Sequence, residues 1–346
     1  MREIADAACF FAIIASPEAL LPASHRIDSQ QRVTTQMTTA LLTHRDCLLH
    51  EPPYGHPEHS GRLRAVLDAV RSRPIVERSA PEASREALLR VHAENLVDSM
   101  LGPWDREAND AGILGIDPDT FMSPGSAKAA LHAAGAAIAA VDGVVRGEFQ
   151  NAFCAVRPPG HHAERARAMG FCLFNSVAIG VQHARAAYGL GRLAIIDFDV
   201  HHGNGTQDIF FDDPEALYVS THQMPLYPGT GFESERGVAR NIVNKPLSPG
   251  SGSAEFREIY AQSLLPRIEE FGPDIVFISA GFDAHRADPL ANLNLTEADF
   301  GWITGEICAV ARRICGGRVV SALEGGYDLG ALAASAAAHV DALCEA

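Results

Sequence analysis

Short, predominantly apolar segments that end abruptly in polar clusters constrain this chain more than any other feature. AFCAV at 152–156 runs into RPPGHH, LAIIDF at 193–198 into DVHHGNG, IVFISA at 275–280 into GFDAH, and VVSAL at 319–323 into EGGY. Continuous apolar strands of this kind are covered on both faces, as in parallel sheets. The stretches between them read as helices, so the order argues for parallel βαβ units in an α/β fold. Ser123-Pro124 is expected to cap an Ala-rich helix through GSAKAALHAAGAAIAAVDGVV, and helices follow in NSVAIGVQHARAAYG and AEFREIYAQSLLPRIEEF. Thr296, with acids at 297 and 299, opens another helix, and a terminal helix begins near 329. ALYVSTH reads as a further strand. Ligands of such sheets bind beyond the carboxyl ends of the strands. Four polar clusters on that one edge point to an active site.

The 346 residues accommodate two average domains or one large α/β domain. No repeat, low-complexity linker or composition break divides them, so a single domain is expected. Met37 begins MTTALLTHRDCLLHE, which resembles the start of a first strand, and residues 1–36 are expected to be an extension outside the fold at 37–346. ACFFAIIA at 8–15 is similar to a signal-peptide core, but Glu3 and Asp6 stand where positive charge belongs. No run reaches the roughly 18 apolar residues of a membrane span, so no membrane association is expected. The seven cysteines form no CxxC and no regular framework, which suits reduced thiols and a cytoplasmic location. A formal charge of -15 disfavours attraction to nucleic acid phosphates and favours a cationic substrate.

Asp199 and His201 are one residue apart, which at a strand end puts both side chains on one side, and Asp283 comes from a strand able to neighbour theirs. Two carboxylates and an imidazole leave a coordination position open, the pattern of a catalytic zinc site. Taken alone, a D-x-H pair is also what an ordinary hydrogen-bonded loop presents. His161 and His162 suit a paired general base and acid if each ring is oriented, and Asp197 and Asn204 are candidates for those partners. An Asp partner raises its histidine more than a neutral Asn does, so the two rings should titrate apart. Tyr327 offers a phenol to a developing oxyanion, although an isolated tyrosine there is ordinarily packed at the core's edge.

RPPGHHAERARAMGFCLFN, DFDVHHGNGTQDIF, YPGTG, SAGFDAHRADPLANLNLT and LEGGYDLGAL together resemble the histone deacetylase family, nearest to its class II-like bacterial amidohydrolases. The likeness runs from HEPPYGHPEHSGRL at residue 50 to the C-terminus. It implies a single-domain, three-layer α/β/α arginase-deacetylase fold. It implies Zn2+ held by Asp199, His201 and Asp283, with Fe2+ admissible at such N and O ligands, and His161, His162 and Tyr327 as catalytic residues. A glycine carbonyl and the walls of an acyl-lysine tunnel fall on Gly170, Phe171 and Tyr227. A structural K+ site matches Asp197, Asp199, His201, Ser220 and Thr221. Arginases, which share the sheet but use two manganese ions, need carboxylates where this chain has Gly203 and His285, so one divalent ion per chain is expected.

The substrate implied is acetyl-lysine in a protein or peptide, or an N-acetylated polyamine. Leu290 stands where a polyamine-selective relative has an acidic gatekeeper, which disfavours strong polyamine selectivity of that type. Bacterial polyamine hydrolases narrow their sites by dimer contacts, so the resemblance also admits a homo-oligomer. A catalytically silent relative that only binds acetyl-lysine would be expected to lack part of the histidine, ligand and tyrosine set.

Overall fold

A computed structural model of the protein describes residues 38–103 and 112–346. The expected extension at 1–36 lies outside them. The strands are β1 (Thr39–Thr43), β2 (Ile75–Ser79), β3 (Leu114–Asp117), β4 (Thr120–Met122), β5 (Asn151–Cys154), β6 (Leu193–Asp197), β7 (Ala216–Gln223), β8 (Ile242–Leu247), β9 (Ile275–Ala280) and β10 (Val319–Leu323). Eight form one parallel sheet in the order β2-β1-β5-β10-β9-β6-β7-β8, while β3 and β4 make a small antiparallel hairpin. The central strands are buried along their whole length. Each fully buried Ile or Leu there contributes roughly 1.5–3 kcal/mol.

Helices α1 (Gly61–Val70), α2 (Arg85–Leu89), α3 (Glu94–Leu101), α4 (Ser126–Arg146), α5 (Ser176–Tyr188), α6 (Asn204–Phe210), α7 (Ser253–Ile259), α8 (Leu265–Phe271), α9 (Glu297–Cys315) and α10 (Leu329–Cys344) cover the sheet. One layer contains α4 and α5; the other contains α1, α9 and α10. Together with the sheet they make the three-layer α/β/α arrangement that the family resemblance implied.

Four details differ from the sequence reading. Gly125, not Ser123, is the N-cap of α4; the Ser123 hydroxyl instead accepts the Glu51 N–H and bonds Ser126. The long helix expected from 254 to 271 is α7 and α8 joined by a π-helical turn at Tyr260–Leu264. Strand β6 ends at Asp197, so Asp199 and His201 belong to the following loop. Finally, α4 is long and apolar enough to cross a membrane, although no uninterrupted apolar run announces it; its buried face packs on β1, β5 and β10.

Among the core polar groups, His339 is completely buried between Thr304 and Ser321, whose hydroxyls lie 2.6 and 2.8 Å from its ring nitrogens. Burial pushes its pKa down to about 3. The native ring therefore stays neutral while the unfolded one takes up a proton below about pH 6.5, so its stabilisation is complete above that pH and declines as pH falls toward 3. Urea midpoints measured from pH 7 to 4 should fall more steeply for wild type than for His339→Gln. Parallel curves would contradict this assignment.

Candidate metal centre and active site

The loops after β5, β6, β7, β9 and β10 follow five adjacent strands and meet above the middle of the sheet. Asp199, His201 and Asp283 converge so closely that one ligand atom of each lies within 4.8 Å of the others. His201 Nδ1 is 3.2 Å from Asp199 Oδ1 and 3.1 Å from Asp283 Oδ2. Both carboxylates are fully buried. Their remaining oxygens are fixed by backbone donors: Gly325 N–H to Asp199 Oδ2 at 2.8 Å and Val200 N–H to Asp283 Oδ1 at 2.8 Å. The donor set fits a divalent ion such as Zn2+.

The fit depends on glycines. A Cβ at Gly325 would stand 2.0 Å from Asp283 Oδ2, and one at Gly281 would stand 2.0 Å from Asp199 Oδ2. Gly170, at φ +58°, passes against the His162 ring, where a Cβ would come within 2.4 Å.

His161 and His162 are buried side by side with ring centroids 4.0 Å apart. His161 Nδ1 lies 3.1 Å from Asp197 Oδ2, and His162 Nδ1 lies 2.8 Å from Asn204 Oδ1. Asp197 is thus the side-chain partner of His161, and Asn204 that of His162. Burial alone would lower His161, but Asp199 and Asp197 outweigh it and hold the ring well above its ordinary value. Burial, His161 and His201 push His162 well below its own. The two rings are thus pushed in opposite directions, His161 up by two carboxylates and His162 down by burial and the histidines beside it.

A cavity of about 240 Å³ leads to this cluster. Gly170, Phe171, Tyr227, Leu290 and Tyr327 all line it, with Leu226 and Asp119. The Phe171 and Tyr327 rings meet edge to face at 5.8 Å. Ser220 pairs in register with Asp197 across β6 and β7. The Ser220 hydroxyl bonds His222 and the Thr221 hydroxyl bonds Tyr260.

Sequence reasoning assigned no role to the buried charges beneath the site. Arg62 is fully buried, donates to the Gly326 and Glu324 carbonyls at 2.6 and 2.5 Å, and lies 4.8 Å over the Tyr327 ring. Glu58 joins Arg62 to Arg157 through oxygens 3.0 and 2.6 Å from their guanidinium nitrogens. Glu324 accepts the Gly160 and His161 N–H groups and so fixes the turn that presents both histidines. Asp288 accepts from Tyr327 N–H at 2.7 Å and Leu290 N–H at 3.0 Å, joining the two loops that wall the cavity. The available signal was a charged residue directly after a buried, predominantly apolar strand, as at Glu324.

The histone deacetylase domain family matches residues 56–343. A probable deacetylase of Archaeoglobus fulgidus is 39% identical over 327 residues, covering 89% of each chain. A histone deacetylase-like amidohydrolase of Pseudomonas aeruginosa is 39% identical over 288 residues, covering 80% of this chain and 74% of its own. The crystal structure of the HDA15 HD domain superposes with a TM-score of 0.83 at 36% identity, over 90% of this chain and 89% of that one.

Gly325→Ala should push the Asp283 carboxylate out of place and weaken divalent metal binding by roughly 10–100-fold, the scale of losing a group that orients a ligand. Zinc titration of metal-free protein measures this. Unchanged affinity would mean that the close approach at Gly325 does not shape the site.

Proposed function

Because the chain belongs to the histone deacetylase family, a group of deacetylases and amidohydrolases acting on linear amides, we propose that it removes the acetyl group from acetyl-lysine side chains of proteins or peptides. The observation that carries this reading is the meeting of the Asp199, His201 and Asp283 cluster with two differently partnered histidines at the end of an apolar-walled cavity. When bound there, Zn2+ supplies Lewis acidity to the acyl carbonyl and to the attacking water. Fe2+ suits the same ligands.

His161 and His162 receive the proton of the water and return one to the leaving amine, with Asp197 and Asn204 holding each ring's tautomer and orientation. Tyr327 donates its phenolic hydrogen to the oxyanion. Phe171, Tyr227 and Leu290 exclude water along the alkyl chain of the lysine. The ring nitrogens, carboxylates and phenol form a complete set, which favours an enzyme over a relative that only binds acetyl-lysine. A structural K+ near Asp197 and Ser220 belongs to the same proposal.

Leu290 supports a peptide substrate, because an apolar wall leaves the internal ammonium of a polyamine unpaired. Asp119, at the same cavity, does not discriminate between the two substrates, since its carboxylate can accept either the backbone amides of a peptide or a cationic amine. Purified protein assayed against acetyl-lysine peptides and N-acetylated polyamines separates them: kcat/KM should be higher for peptides, and the reverse ranking would transfer the assignment to polyamines. Inactivity on both classes with metal loaded would favour the silent binder.

A strong chelator should remove activity and zinc should restore it; full activity in metal-free protein would contradict the proposal. Tyr327→Phe deletes one donor and little volume, so kcat should fall by roughly 10² or more with metal content unchanged. Near wild-type turnover by this variant would make the tyrosine structural.

A further inference from the structure

The Asn204 amide that orients His162 is itself gripped from its other end. Its Oδ1 lies 2.8 Å from His162 Nδ1, and its Nδ2 lies 2.8 Å from Glu164 Oε1. Building on the deacetylase reading above, we propose that Glu164 is a positioning residue of the reaction. It fixes which way round the Asn204 amide sits and, through it, which nitrogen of His162 carries the hydrogen.

An asparagine amide has nearly the same shape either way round, and its two ends differ in that one donates and the other accepts. The Glu164 carboxylate has no hydrogen to give, so it selects the NH2 end. Met169 Sδ, 3.3 Å from the same Nδ2, is a weak acceptor and selects that end too. The carbonyl end is thereby turned to His162. A carbonyl oxygen only accepts, so the ring presents its N–H at Nδ1. In the neutral imidazole Nε2 then bears the lone pair.

His162 lines the catalytic cavity, and with Nδ1 engaged by Asn204 its Nε2 is the nitrogen left to take a proton from water and pass one to the leaving amine. Turned the other way, the amide would offer an N–H to Nδ1 and place the ring hydrogen on Nε2. A ring in that tautomer has no lone pair for the reaction. His161 needs no such control, because both oxygens of its partner Asp197 accept and either one specifies the same tautomer.

Glu164 is held where it can act. Its N–H donates to the Arg167 carbonyl at 2.9 Å, and its own carbonyl lies 3.0 Å from His92 Nδ1. His92 Nε2 accepts the Asn175 N–H at 2.9 Å, so Nδ1 is the donor to Glu164. Asn204 opens α6, and a Cβ at Gly205 would stand 2.3 Å from the Ala163 carbonyl oxygen, so the helix start is pressed against the turn carrying both histidines. Thr206 N–H to the His161 carbonyl at 3.1 Å and Arg165 N–H to Asp208 Oδ2 at 3.0 Å tie the two segments together. The cavity lining does not include Glu164, so its effect on the reaction passes through Asn204.

The test reads tautomer and turnover separately in zinc-loaded, full-length protein. Two-bond 1H–15N spectra, with His162 assigned by difference from His162→Gln, should show hydrogen on Nδ1 and none on Nε2 in wild type. Glu164→Lys replaces an acceptor with a donor and favours the reversed amide. The hydrogen should move to Nε2, and kcat on an acetyl-lysine peptide should fall by roughly 10² or more with KM little changed, as for a histidine held in the wrong tautomer. Adding Asn204→Asp to that variant should return the hydrogen to Nδ1 and recover most of kcat, since the new carboxylate accepts from the lysine and from His162 alike. Glu164→Gln, whose amide oxygen still accepts, should keep the wild-type tautomer. Hydrogen on Nε2 in wild type would overturn the proposal whether or not the variants fold, and so would an unchanged His162 spectrum in Glu164→Lys or no recovery in the double variant. The spectra need no substrate, so failure of the deacetylase assignment would leave the tautomer result standing.

Discussion

Four carboxylates, Asp197, Asp199, Asp283 and Glu324, are buried completely at one edge of a parallel sheet. Negative charge placed there is costly unless each group is paired, hydrogen-bonded or bound to a cation. The structure meets that condition differently for each. Asp197 receives Tyr218 and His161, Glu324 receives two backbone N–H groups, and Asp199 and Asp283 share His201. Burial and the neighbouring Asp199 raise the Asp283 carboxyl to about 7, while His201 opposes them. Asp199 and Asp283, which converge on His201, are the pair spaced to hold a dication.

The rest of the fold maintains that arrangement. Parallel strands deliver five loops to one edge, and the order β5-β10-β9-β6-β7 makes those loops neighbours. Behind them Arg62, Glu58 and Arg157 form a buried charged group tied to main-chain carbonyls on both sides of the site. Burial would raise Glu58, but Arg157, His50 and Arg62 bring it down to about 2. The carboxylate therefore remains charged at physiological pH, and the loop carrying Tyr327 stays anchored to Arg62.

Much of this was legible because central strands read as apolar runs and their ends read as chemistry. The edge strands were not: β2 is IVERS, largely exposed, and β8 is IVNKPL, interrupted by Lys245 and Pro246. An edge strand tolerates both residues since one side pairs with nothing, and its pattern therefore resembles a loop. Spacing and resemblance single out Asp199, His201 and Asp283, but β6 ends at Asp197 and a strand pleat does not account for their proximity. A loop turn after Asp197, held by Val200 and His201 N–H groups on Asp283 and Asp199, brings them together in place of a strand pleat. Arg62 and Asp288 act through backbone groups far along the chain, which no local pattern reveals.

The central claim is that this sheet edge holds a catalytic metal between Asp199, His201 and Asp283. Anomalous diffraction at the zinc edge, from crystals of zinc-loaded protein, tests it most directly. A single peak about 2 Å from one ligand atom of each residue is predicted. An absent peak at that position, or a pair of peaks bridged by Asp199 and Asp283, would contradict the account.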